Sequence, residues 1–117
     1  MVSTATELPP PAERRPKPRR RVLLGAIVTW SDGARSFGCT IRNLSASGAR
    51  IAVPPNQGMP AHIFLINVPH RMVHEAQIVW NNGAEAGVAF FKTMPLDEVT
   101  DPKLGYLKKL WQGSSVR

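Results

Sequence analysis

The sequence of 117 residues predicts an all-β fold: a small antiparallel barrel or sandwich of six strands, with a C-terminal α-helix and a flexible N-terminal arm. Apolar and polar residues alternate with a period of two in short segments between residues 22 and 93, as they do in strands with two different faces. Turn dipeptides separate these segments, and helical spacing of apolar residues occurs only near the C-terminus. The predicted divisions are an arm over 1–21, a β domain over 22–93, and a helix with a tail over 94–117.

The N-terminal arm is predicted from its prolines and its charge. Residues 1–21 contain five prolines, which prevent a regular helix, and they hold six basic against two acidic residues, a net charge of +4. Like charges at this density repel one another and favour an extended chain. The N-terminus is polar and the basic residues precede a strand-like segment, so we expect no secretory signal, a cytoplasmic location and a reduced thiol at Cys39.

The β domain is predicted from alternation and from turn chemistry. Phe37, Cys39 and Ile41 alternate with small or polar neighbours, which predicts that Cys39 is a small core residue. Asp32-Gly33 and Asn82-Gly83 are dipeptides typical of hairpin turns, and prolines mark further loops. The other alternating sets are Ala49, Ile51 and Val53; Met72, His74, Ala76, Ile78 and Trp80; and Ala86, Val88 and Phe90.

A helix is predicted over residues 102–111. Asp101 is a favourable cap, Pro102 suits the first helical position, and Gly113 is a plausible stop. The helix is expected to pack against the β domain, with binding to a partner protein as the alternative. Its apolar face consists of Leu104, Leu107, Leu110 and Trp111.

Several classes of protein are excluded or disfavoured. One cysteine cannot form an internal disulfide, and no Cys/His cluster has the spacing of zinc ligands. No apolar run approaches the roughly 20 residues of a membrane-spanning helix, so no membrane insertion is expected. His62, His70 and His74 lie outside catalytic motifs, and no glycine-rich phosphate loop is present. We therefore expect a protein that is not an enzyme and that has no metal or cofactor.

Two short motifs have the chemistry of a nucleotide site. Arg15 and Arg19 lie four residues apart near the end of the arm, and an arginine fork can bond to guanine O6 and N7 or to phosphate oxygens. Asn43 offers a hydrogen-bond donor and an acceptor, and Ser45 offers a hydroxyl. Gly48 permits close approach of the backbone. Each motif has a simpler interpretation, since arginines in a basic tail are often solvated and Asn-x-Ser-x-x-Gly is often only a turn.

Together the motifs resemble those of the PilZ domain, a bacterial receptor for cyclic di-GMP. That family has RxxxR before its first strand and [D/N]xSxxG between its second and third strands. The resemblance extends over residues 13–93 and includes a closing hairpin formed by residues 78–80 and 87–90. It implies a six-stranded antiparallel barrel with a C-terminal helix. It also implies that the arm folds over the ligand, and that the residues binding cyclic di-GMP are Arg15, Arg19, Asn43, Ser45 and Gly48, with Arg14, Arg20 and Arg50 as auxiliary contacts.

The resemblance implies a regulator that signals through an unidentified effector protein. Control of motility, exopolysaccharide or the cell cycle is what the family implies. Two alternatives remain open: a PilZ-like adaptor that binds no ligand, and a nucleic-acid binder that uses the basic arm. The second is disfavoured because aromatic residues make up only 7% of the chain and no strand face combines basic and aromatic residues.

Overall fold

Six antiparallel strands close into a barrel in the computed structural model, which describes residues 20–55 and 57–114. Their order around the barrel is β1-β2-β3-β6-β5-β4. The predicted all-β class and the six-stranded barrel are therefore confirmed, and the sandwich is excluded. The strands are β1 (Arg20–Trp30), β2 (Arg35–Leu44), β3 (Gly48–Ala52), β4 (His62–Asn67), β5 (Met72–Asn81) and β6 (Glu85–Pro95).

The interior of the barrel is filled by the apolar residues that the alternation places on one face. Val28, Ile41, Ile51 and Leu65 are fully buried there, and their branched side chains suit a pleated surface. Cys39 is partly exposed and packs against this core. Burial raises the pKa of its thiol to about 12, so the side chain is a neutral, inert packing residue.

The C-terminal helix packs against the outside of the barrel. It begins with a 3-10 turn (Pro102–Leu104) and continues as α1 (Gly105–Gln112), which confirms the predicted C-terminal helix. Asp101 caps this turn as expected, because its Oδ1 accepts a hydrogen bond of 2.9 Å from the Lys103 amide. Leu107 is fully buried in a second core, formed with Ile66, Val68, Val73, Leu96 and Val99.

Two boundaries differ from those predicted. β1 begins at Arg20, because Arg20 and Arg21 pair with the end of β2, so two residues assigned to the arm belong to the barrel. The connection after β1 is a 3-10 turn (Ser31–Gly33) rather than a two-residue hairpin. Gly33 there has φ +91°, and the ring of Tyr106 packs against it, which leaves no room for a side chain. Among the described residues, no helix has the length and apolar character needed to cross a bilayer.

Candidate ligand-binding surface on the barrel

One transverse row of residues crosses five strands on the outer surface of the barrel. Arg21 of β1 is paired with Asn43 of β2, and Asn43 is paired with Arg50 of β3. Arg50 is paired with Gly87 of β6, and Gly87 with Trp80 of β5. Because directly paired residues of neighbouring strands share a face, these side chains form one polar and aromatic surface, called the polar row below.

Asn43 and Arg50 are joined by two hydrogen bonds. Arg50 Nε and Nη2 donate to Asn43 Oδ1 at 3.0 and 2.9 Å, when the amide is oriented with its oxygen toward the guanidinium. That orientation is assigned because the opposite one would face the amide NH2 toward donors only. Arg50, expected as an auxiliary ligand contact, therefore uses two of its five N–H donors on a neighbouring side chain.

A cationic groove adjoins the polar row. It has a volume of about 510 Å³ and is lined by Arg21, Val22, Leu23, Arg42 and Arg50. Its size falls in the range of small-molecule sites, roughly 300–1,000 Å³. Glu85 places a carboxylate next to it, since its Oε2 lies 4.0 Å from Arg42 Nε and 3.8 Å from Arg50 Nε. These ion pairs are partly exposed, so they orient the arginines more than they stabilise the fold.

Ser45 and Gly48 shape the turn between β2 and β3. Ser45 Oγ accepts hydrogen bonds of 3.2 Å from the amides of Ser47 and Gly48, and the Ser45 amide donates to the Gly48 carbonyl at 2.9 Å. Gly48 is buried, and a Cβ at this position would collide with the carbonyl oxygen of Val88. Its small size therefore allows close approach of β6 rather than keeping the turn open for a ligand.

The arginines expected to bind the ligand divide into two sets. Arg14, Arg15 and Arg19 lie outside the described residues. Arg20 is exposed in β1 and lines a second cavity of about 510 Å³, which also borders Ser45 and His74. Because neighbouring strand residues point to opposite sides, Arg20 is separated from the groove that Arg21 lines. Arg20, expected as an auxiliary ligand contact, therefore lies beside the cavity that Ser45 borders and not in the polar row.

Trp80 is a candidate site residue that the sequence analysis missed. Its indole lies across Gly87, where any Cβ would overlap the ring, and the side chain remains 42% exposed. An exposed indole held flat on a strand is a surface on which a nucleobase can stack. Arg42 and Glu85 were also missed, because an isolated charge on an exposed strand face gives no signal in the sequence.

His74 and Asn67 are buried polar residues that line the second cavity. The ring of His74 stacks on Phe90, with centroids 3.9 Å apart and planes 9° from parallel, and its Nδ1 lies 2.8 Å from Thr93 Oγ1. Burial lowers the pKa of His74 to about 4, so the imidazole is neutral near pH 7. Over residues 20–55 and 57–114, no three His, Cys, Asp or Glu side chains cluster as a metal site would require.

A small antiparallel barrel with a cationic groove and a polar row on its surface has the architecture of a binding module. The family model of the PilZ domain matches residues 13–102, which include both sequence motifs. This protein therefore belongs to the PilZ domain family, whose members are generally binding or adaptor domains rather than enzymes and include receptors for cyclic di-GMP. No curated protein matches the chain.

Proposed function

We propose that this protein is a cyclic di-GMP receptor. The observation that carries the proposal is the polar row, in which Asn43 and Arg50 lie next to a cationic groove. Three arginines and one carboxylate surround that groove, so its net charge suits a dianionic ligand. Membership of the PilZ family, which includes receptors for cyclic di-GMP, supports this choice of ligand.

The chemical groups of the ligand have complementary partners on this surface. Arg21 and Arg42 can bond to its phosphate oxygens as charge-assisted donors. The indole of Trp80 can stack on one guanine, since every base has a π face. Asn43 supplies a hydrogen bond at the centre of the row.

The arm is within reach of the same surface. Arg15 precedes Arg21 by six positions in the sequence, so an extended chain allows a span of at most about 20 Å between them. Arg15 and Arg19 would cover the ligand from the outside while the barrel holds it from below. Ordering of this segment over the ligand changes the surface that a partner protein meets, and that change is the proposed output.

Calorimetric titration with cyclic di-GMP tests the proposal. We expect saturable binding by the wild type and a loss of about tenfold or more for Asn43→Ala and for the double variant Arg15→Lys/Arg19→Lys. The double variant preserves the net charge of +7 but removes both planar forks, so it separates bidentate contacts from general attraction. The matched control is Arg35→Ala, which replaces an arginine eight residues from Asn43 along β2. This variant should bind cyclic di-GMP as the wild type does.

Three outcomes would contradict the proposal or its details. A wild type that does not bind cyclic di-GMP would overturn the receptor assignment and favour an adaptor. Unchanged affinity of the double variant would remove Arg15 and Arg19 from the site. Binding of random oligonucleotides, with an affinity that falls steeply as salt is raised, would instead favour the nucleic-acid alternative.

A further inference from the structure

We propose that the interior of the barrel, at the end where β1 begins, is a second binding site, for a small organic acid with an apolar or aromatic body and a hydroxyl group. The site is the second cavity described above, which has a volume of about 510 Å³. The proposal goes beyond the proposed function, because this site is separate from the polar row and requires no cyclic di-GMP.

The cavity lies inside the barrel rather than on its outer surface. Asn67 and Met72 line it and are directly paired across β4 and β5, and His74, also in its lining, is paired with Thr93 of β6. Met72 and His74 share a strand face with Ala76, which is buried in the barrel core. Their side chains therefore point inward at one end of the barrel, and the mouths of β-barrels are frequent places for small-molecule sites.

The cavity and the polar row lie on opposite faces of the same two strands. Arg20 and Leu44 line the cavity and are directly paired across β1 and β2. Arg21 and Asn43, the next pair along, belong to the polar row. Because successive strand residues point to opposite faces, a ligand in the cavity and a ligand on the polar row do not compete for the same side chains.

Apolar side chains form the walls of the cavity. Val22, Leu44 and Met72 line it and are only partly buried, so part of their apolar surface remains in contact with solvent. An aromatic or aliphatic ligand body would remove this surface from water, which is favourable. The walls therefore favour a ligand with a carbon skeleton over a small inorganic ion.

The charge at the rim favours an anionic group on that ligand. Arg20 is exposed and lines the cavity at the first residue of β1. No Asp or Glu is among the described residues of the lining, so the lining carries a net positive charge. A carboxylate can accept two parallel hydrogen bonds from one guanidinium. The rim should therefore select acids over amines.

The polar group deeper in the cavity is His74, which is only 6% exposed. Stacking on Phe90 and the contact of Nδ1 with Thr93 Oγ1 at 2.8 Å fix the ring, while Nε2 has no hydrogen-bond partner in the described part of the chain. A buried polar atom without a partner is costly, so a ligand hydroxyl that reaches Nε2 gains a bond that these residues do not supply. A hydroxyl suits either tautomer of the neutral ring, because it both donates and accepts.

Three related ligands test the chemistry of the site. The first, 4-hydroxyphenylacetate, has an aromatic body, a hydroxyl and a carboxylate; phenylacetate lacks the hydroxyl, and tyramine has an ammonium in place of the carboxylate. Each is titrated into the full chain, and binding is followed by the NMR signals of the His74 ring and of the amides that line the cavity. We expect saturable binding of 4-hydroxyphenylacetate, about threefold or more weaker binding of phenylacetate, and about tenfold or more weaker binding of tyramine. No saturable shift at these signals, or one affinity for all three ligands, overturns the proposal.

Two substitutions test the position of the site. Arg20→Gln removes the charge at the rim, so it should weaken binding of 4-hydroxyphenylacetate by about fivefold or more without weakening that of tyramine. Met72→Trp puts a larger side chain into the cavity and should abolish binding of both. The matched control is Arg35→Gln, at the opposite end of β1 and β2, which should bind as the wild type does. Thermal unfolding checks that each variant is folded, and wild-type affinity in Arg20→Gln and Met72→Trp would overturn the proposal.

His74→Phe tests the contact with the ligand hydroxyl. The substitution keeps an aromatic ring against Phe90 but removes Nε2, so 4-hydroxyphenylacetate and phenylacetate should bind this variant with the same affinity, within about twofold. The signals of the amides that line the cavity measure both affinities. An unchanged preference for the hydroxylated acid would overturn the role of His74 in recognition.

Titration in the presence of cyclic di-GMP separates this site from the proposed receptor site. Saturating cyclic di-GMP should leave 4-hydroxyphenylacetate bound, because the two ligands contact opposite faces of β1 and β2. Strict competition between them would overturn the proposal of a separate site. A wild type that binds the acid but not cyclic di-GMP would overturn the proposed function and support the inference drawn from the cavity.

Discussion

His74 is a buried histidine whose burial lowers its pKa to about 4. It is 6% exposed, it stacks on Phe90, and its Nε2 has no hydrogen-bond partner in the described part of the chain. His74 lies outside catalytic motifs in the sequence, and its geometry is that of a packed ring rather than of a catalytic base. Its neutral state is therefore part of the stability of the barrel.

Stability should fall in mild acid because of His74. The unfolded chain binds a proton at this residue near pH 6.5, but the folded protein does so only near pH 4. The stability associated with the neutral ring is thus fully present above pH 6.5 and is lost as the pH falls toward 4. We expect a decrease of about 2 kcal/mol in the free energy of unfolding between about pH 7 and pH 5, measured by urea denaturation.

The matched variants for this prediction are His74→Gln and His62→Gln. His74→Gln should flatten the pH dependence, whatever its effect on stability at neutral pH. His62 is exposed on β4, so His62→Gln should keep the slope of the wild type. Equal slopes for wild type and His74→Gln would show that another group causes the acid sensitivity.

A second prediction at the scale of one residue concerns Gly48. Gly48→Ala should lower the free energy of unfolding by about 1–3 kcal/mol, because the new Cβ meets the carbonyl oxygen of Val88 and β3 must shift away from β6. Gly58→Ala is the control, since a Cβ there meets nothing within 4 Å. Chemical denaturation of both variants checks the difference. Equal stability would contradict the close approach of β6 at Gly48.

The sequence predicted whole strands better than it predicted the irregularities within them. Alternation identified β5, but a strict period of two puts Trp80 on the same face as Ala76 and Ile78, in the core. The register between β5 and β6 shifts between Ile78 and Trp80, and this shift turns the indole outward onto Gly87. Such bulges depend on the partner strand, so the alternation of one strand cannot reveal them.

The contribution of the C-terminal helix can be tested at Leu107. This side chain is fully buried in the second core, outside the barrel. Leu107→Ala should destabilise the protein by about 2–5 kcal/mol, through lost burial and the cavity that remains. Lys108→Ala, next along the same helix, should change stability by less than about 0.5 kcal/mol. If the two variants unfold at the same urea concentration, the helix does not contribute to the cooperative unit.

At the scale of the whole molecule, the sequence indicated only part of the candidate surface. Asn43 and Ser45 form a local motif, and a motif of six residues can be recognised without a structure. Arg42 adjoins Asn43 in β2, but Trp80 and Glu85 join it only through the register of β2 with β3, of β3 with β6, and of β6 with β5. That arrangement is a property of the closed barrel, in which residues 37 positions apart become neighbours on one surface.

Folding and ligand binding should be separable by deleting residues 1–19. The core residues that the structure describes all lie between Val22 and Trp111, so we expect a variant that begins at Arg20 to unfold within about 1 kcal/mol of the full chain. Its affinity for cyclic di-GMP should fall by about 100-fold or more, because it lacks two arginines that each form charge-assisted bonds. Urea denaturation and calorimetry measure the two quantities on the same sample. An affinity equal to that of the full chain would place the whole site on the barrel, and a stability loss well above 1 kcal/mol would mean that the first 19 residues contribute to the fold.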